Sequence, residues 1–451
     1  MSGIAEAKLG IVRQLIERAS DSVVRSLEQA LMGGGSYNAA SDTLFEMIST
    51  ERRVRRAQAS VFAPVIAPFV RRTRVLPTLQ YPPDTLKLLW RDLKDNQAPM
   101  LDAAIEAANE PATDDPPVAY DAICTLASKL LLAGAAPLAA ARVENLPGGV
   151  PQLAQLLRLA PILRTVIPRL DGWMRNLNGD NVAGVRLAFK DAAVICDDGG
   201  LLLMEILSAQ MNEPWQILRL ISAVMDRPSD RYLASSELAV FGERIITDIV
   251  GRVDAIKRFD PAQGPEAGLF AAQSIAVAVQ EISEFEQWIN LSRDGGWGQR
   301  IFELKRNLAS GVEARLKEID PAVGQALPLA SKPFGAKSMR APAKLTDDPN
   351  PALVAKADGL LAFMDGVRSS AALGGFGSFR AKVVEVLDER LDHYAEDLVD
   401  RLLTDAGRGG PPAERVSAYL EIAARFVSLV RDPKAGDIIR RRAASAAATA
   451  A

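Results

Sequence analysis

The sequence predicts an all-α protein, and three observations carry that prediction. Apolar residues recur every three or four positions over long stretches, which gathers them on one face of a 3.6-residue helix. No stretch alternates apolar and polar residues as a half-buried strand would, so no sheet is assigned. Glycine pairs and prolines fall between the periodic stretches, where helices end.

The periodic stretches follow in order. Residues from Met1 to Ala30 already carry helical spacing with charges throughout, unlike a cleavable leader. Gly33, Gly34 and Gly35 close that stretch, and Thr43 with Glu46 has the spacing of a capping box at the next helix start. An apolar pattern from Val150 to Leu177 contains Pro161 and Pro168, which either kink it or divide it. One continuous helix is expected from Ser229 to Arg258, about 45 Å long at about 1.5 Å per residue. Its apolar row is Leu238, Phe241, Ile245, Ile249, Val253 and Ile256. A second row is Ile275, Val279, Ile282, Phe285 and Ile289, and a third is Ile301, Leu304, Leu308, Val312, Leu316 and Ile319. Val384, Leu387, Leu391, Tyr394, Leu398 and Leu402 form a narrower seam like a heptad stripe. Short turns between long helices imply antiparallel neighbours, and no fixed repeat is present. The expected architecture is an elongated multi-helix bundle of long antiparallel amphipathic helices.

At 451 residues the chain exceeds what one hydrophobic core serves, so several packing units are expected. Proline-rich stretches place their limits: an N-terminal helical region at 1–116, a central bundle at 117–327, a linker at 328–348, a C-terminal helical hairpin region at 349–432 and a flexible tail at 433–451. The longest uncharged runs, Ala57 to Val70 and Ala267 to Gln280, are shorter than the roughly 18 residues a membrane span requires. The expected location is therefore cytoplasmic.

The composition disfavours several kinds of chemistry. A net charge of −3 argues against a dedicated nucleic-acid binder. Two isolated cysteines, Cys124 and Cys196, supply neither a disulfide framework nor a thiolate zinc site, and read as small core residues. His393 is the sole histidine, so a Ser-His-Asp system or a three-histidine zinc site has no base or ligands. Glu389, His393 and Asp397 share one helical face, yet position 390, where a di-iron pair needs glutamate, is Arg390. No phosphate-binding glycine motif follows a strand; Gly374 to Ser378 reads as a turn with Ser378 as N-cap. No catalytic residue, cofactor or metal is assigned.

Two concentrations of charge stand out. Arg52, Arg53, Arg55, Arg56, Arg71, Arg72 and Arg74 have no acid among them, since none follows Glu51 until Asp84. Guanidinium groups suit bidentate contacts to carboxylate or phosphate. They can pair within the chain, dock an acidic protein surface or a second copy, or hold phosphates of lipid or nucleic acid. The opposite sign gathers at Glu385, Asp388, Glu389, Asp392, Glu396, Asp397 and Asp400. The function expected from these features is a non-enzymatic scaffold, adaptor or regulatory subunit acting through charged helical faces. Its partner would be another protein or a second copy. The alternative is a peripheral binder of anionic surfaces through the arginine cluster, on membrane phospholipid or, less favoured, nucleic acid. An enzyme with a carboxylate or arginine site in a helical bundle comes third.

Overall fold

The computed structural model describes residues 9, 11–13, 15–16, 19, 21–33, 39–69, 81–109, 118–144, 146, 148–225, 228–330, 341–404 and 413–450. Among them there are helices and no strand; isolated bridges join Ser229 to Asn290 and Leu329 to Ala343. The class is all-α. No single described helix is long and apolar enough to cross a membrane. The chain divides into two compact units, 1–224 and 225–451, and the division falls inside the 117–327 segment read as one bundle.

The first unit runs through α1 (Asp21–Gly33), α2 (Ala39–Ile66), α3 (Pro83–Asn109), α4 (Val118–Leu132), α5 (Pro137–Val143), α6 (Gly149–Arg158), α7 (Ala160–Val166), α8 (Leu170–Arg175), α9 (Gly179–Ile195), α10 (Gly199–Gln210) and α11 (Ile217–Val224). Thr43 lies inside α2, which starts at Ala39, so it caps nothing there. Pro161 and Pro168 divide the 150–177 pattern: α7 carries Pro161 in its first turn, and a 3-10 turn containing Pro168 precedes α8. α10 is buried along almost its whole length because its sequence is apolar on every side. Around it, polar groups are matched across helices. The buried guanidinium of Arg164 in α7 pairs with Asp121 of α4 at 2.8 Å and donates to the Val65 carbonyl of α2 at 3.1 Å. Asp92 of α3 accepts from the Ala139 amide at 2.9 Å, capping α5, whose own N-cap Ala136 has no side-chain acceptor. Both cysteines are buried, and burial pushes the Cys124 thiol up to about 11.

The second unit comprises α12 (Asp230–Leu233), α13 (Ala239–Arg258), α14 (Pro265–Trp288), α15 (Gly296–Lys317), α16 (Ile319–Ala326), α17 (Pro351–Gly366), α18 (Gly377–Thr404), α19 (Ala413–Val430) and α20 (Pro433–Ala450). The continuous helix expected from Ser229 to Arg258 is interrupted between α12 and α13. The reason is tertiary: buried Asp230 accepts from the amides of Ser292 and Gly298 at 3.3 Å each, anchoring α12 to the turn that opens α15. Ser378 lies within the first turn of α18 rather than before it. The segment 433–451 read as a flexible tail contains α20, which buries Ile439 and Ala446. The three apolar rows of α13, α14 and α15 are buried as their spacing requires.

α17 occupies the centre of this unit and buries residues on all sides, from Val354 to Met364. Its closest neighbour is α14, and the two backbones meet through small residues. A Cβ on Gly268 would overlap the Gly359 carbonyl, and one on Gly359 would overlap the Pro261 carbonyl. Burial in α17 includes one charge: Asp358 is bound bidentately by Arg425 of α19 at 2.9 and 2.7 Å. Burial raises the Asp358 carboxyl above its ordinary value, and the guanidinium opposes that rise.

A second buried acid lies between α13 and α14. Glu281 is 0% exposed, and neither of its oxygens has a well-aligned hydrogen-bond partner. Arg252 is held by Asp248 at 2.6 Å and stands 3.6 Å from Glu281. Burial first, then the adjoining Asp248, push the Glu281 carboxyl up to about 9. Glu281 is therefore a neutral acid at neutral pH, within reach of sharing its proton with Asp248.

Two outcomes are expected. Gly359→Ala forces backbone apart at the α14–α17 crossing and should cost about 2–3 kcal/mol in chemical denaturation. Gly251→Ala, whose Cβ meets open space in α13, should be neutral or stabilise by up to about 1 kcal/mol. For Glu281, the unfolded carboxyl loses its proton near pH 4.3 whereas the folded one holds it to about 9. Stability from this group is full below the lower value and falls as pH rises through the upper one. Glu281→Gln cannot ionise, so its melting temperature should gain on wild type progressively between pH 5 and pH 9; a constant difference would refute the assignment.

Candidate functional site

The second unit carries the acidic segment on α18, and the helix divides it by face. Residues Asp388 and Asp392, four apart, lie on the side where Arg431 follows α19; the guanidinium pairs with both. Those two hydrogen bonds hold the Arg431 guanidinium above its ordinary value. This half of the acidic cluster is structural, for it locks α18 to the α19–α20 turn. Glu385, Glu389, Glu396 and Asp400 are exposed, while Asp397 is half-buried and paired with Arg401 at 3.1 Å.

The other face of α18 forms a groove. Val386, Glu389, Arg390, His393, Glu396, Asp397 and Asp400 recur at three- and four-residue intervals and line one side of it. The opposite wall is the proline-rich segment, through Leu329 and Ala341 to Ala343. Its two ends are pinned together as an antiparallel bridge: the Ala330 amide donates to the Pro342 carbonyl and the Lys344 amide to the Pro328 carbonyl, both at 2.8 Å. The Ala343 amide then donates to Asp397 Oδ2 at 2.8 Å, which ties this strap to α18. Residues 331–340 of the linker lie outside the described residues. The groove encloses about 480 Å³.

Its lining holds four carboxylates against one guanidinium, and Arg390 is committed to Asp320 of α16 at 3.1 Å. Tyr394 also lines the groove; it is 2% exposed and its hydroxyl has no hydrogen-bond partner. Burial pushes its phenol well above the ordinary value, so the hydroxyl remains protonated and able both to donate and to accept. Val386 and Leu329 add apolar surface at the rim, 52% and 43% exposed. Among the described residues no three His, Cys, Asp or Glu side chains converge as a metal ion would need. The groove offers spread negative charge, an apolar edge and one buried phenol.

The arginine cluster lies in the first unit. Arg52 of α2 pairs with buried Glu28 of α1, an internal contact with a partner outside the acidic 385–400 segment. The backbone of Arg53, Arg55 and Arg56 continues α2, and their side chains lie outside the described residues, as do Arg71, Arg72 and Arg74 entirely.

Sequence reasoning singled out the acids but missed Tyr394 as a groove residue, because its heptad position marked it as core. It also missed the strap. The one available signal was phase: residues 389, 393, 396 and 400 fall on a different side of a helix from 388 and 392.

The strap contact gives a measurable consequence. Asp397→Asn replaces a charge-assisted bond with a neutral one, and hydrogen exchange at the Ala343 amide should speed up several-fold. Global stability should fall by no more than about 1 kcal/mol, as for other part-exposed pairs.

Compared with known protein families, curated proteins and solved structures, the chain matches none.

Proposed function

We propose that this protein is a non-enzymatic helical scaffold, adaptor or regulatory subunit that works through protein–protein contacts on charged helical faces. The observation that supports this reading best is the division of labour on α18. Asp388 and Asp392 hold the fold together through Arg431, whereas Glu389, Glu396 and Asp400 remain exposed along a groove. Exposed charge of one sign on a rigid helix steers an oppositely charged partner and fixes its orientation. A helix anchored at several points also loses little conformational entropy when a partner binds.

The anionic-surface alternative draws no comparable support. Of the seven arginines, Arg52 alone has a described side chain, and that side chain is paired with Glu28.

Charge reversal tests the proposal. Glu389→Lys, Glu396→Lys and Asp400→Lys combined change exposed positions, so circular dichroism and melting should stay close to wild type. Proteins co-purified from the native organism should change, with at least one partner lost. An identical set of partners from a folded variant would remove the α18 groove from the proposal.

A further inference from the structure

Resting on that reading, we infer that the α18 groove binds an extended peptide segment of a partner protein, bearing several lysine or arginine residues and an apolar residue among them. The spacing of the acids sets the class of ligand. Glu389 and Asp400 are eleven positions apart, about 16 Å along the helix. Charges strung out at that distance cannot converge on one metal ion, and none of the described acids do so. They match a chain of separate cations, and about five residues of extended peptide cover the same length at about 3.3 Å each. Their sign repels phosphate, which disfavours nucleic acid and anionic lipid at this face.

Two further features favour a peptide over a simple polyamine. Val386 and Leu329 leave apolar surface exposed at the groove, suited to an aliphatic side chain lying between cationic ones. The Tyr394 hydroxyl is buried in the groove lining without a partner. A buried hydroxyl left unsatisfied is costly, and a peptide carbonyl or amide that reaches it removes that cost. A polyamine has no carbonyl and no branched apolar side chain to offer.

The probes are a fluorescein-labelled peptide of about eight residues with three arginines or lysines around a leucine, the same peptide with glutamate at the cationic positions, and unlabelled spermine. Fluorescence polarisation with the full-length protein should show saturable binding of the cationic peptide that weakens with salt, and none of the acidic one. Glu389→Gln, Glu396→Gln and Asp400→Gln together should weaken it roughly tenfold, since three exposed charge contacts are removed at once. Tyr394→Phe removes only the orphan hydroxyl. It should weaken the peptide a few-fold while the melting temperature holds or rises, a combination that a purely structural tyrosine would not produce.

Wild-type affinity in the folded triple variant would overturn the inference, and so would equal binding of the acidic peptide. Spermine displacing the peptide at equal concentration would replace the peptide with a small polycation. Loss of native partners in the lysine variant without any cationic-peptide binding would refute this inference and leave the scaffold reading standing. Peptide binding with an unchanged set of native partners would do the reverse.

Discussion

The close approach of α14 and α17 is the constraint on which the second unit depends. Gly268 and Gly359 let one backbone lie against the other, and no side chain larger than hydrogen fits at either contact. That approach seats α17 in the centre, where it is buried on all sides. A central helix with an acid in it must supply a counter-charge, and Asp358 obtains one from Arg425 of α19. α19 thereby takes its position, and Arg431 just beyond it binds Asp388 and Asp392 of α18. Each step removes freedom from the next element. The groove face of α18 is what remains once its other side has been committed.

Carboxylates recur as long-range caps in both units. Asp92, Asp230 and Asp397 each accept a backbone amide from a segment far away in sequence, at a helix start or at the strap. A free amide at such a place needs an acceptor when water is excluded, and a charged acceptor binds it more strongly than a neutral one. Glu281 answers a different need. It lies buried beside Asp248, and Arg252 is too far for a direct bond to it, so it keeps its proton instead of its charge. The same residue type is therefore a cap, an ion-pair partner or a neutral core acid according to what surrounds it.

Much of this was legible in the sequence wherever the cause was local. The apolar rows of α13, α14 and α15 and the α18 seam follow directly from three- and four-residue spacing, and the structure buries them. The divisions at Pro161 and Pro168 follow from a missing amide and a ring clash, which are properties of proline itself. The acidic concentration on α18 was equally plain. Its separation into a locked pair and an exposed row was not, because Arg431 lies about forty positions away and nothing in spacing announces it. The break before α13 was hidden for the same reason, since Asp230 is drawn off by amides some sixty residues downstream.

The sequence by itself determined the all-α class, which residues face inward on each long helix, and the absence of the familiar histidine-, thiolate- and glycine-based catalytic motifs. These are consequences of composition and of interactions within about one helical turn. Only the tertiary structure decided that 433–451 contains a helix with buried residues, that the proline-rich segment is a strap pinned to Asp397, and that Tyr394 lines a groove as well as a core. Those outcomes turn on contacts between residues distant along the chain. Their partners are chosen by packing, and packing is fixed only when the whole unit has folded.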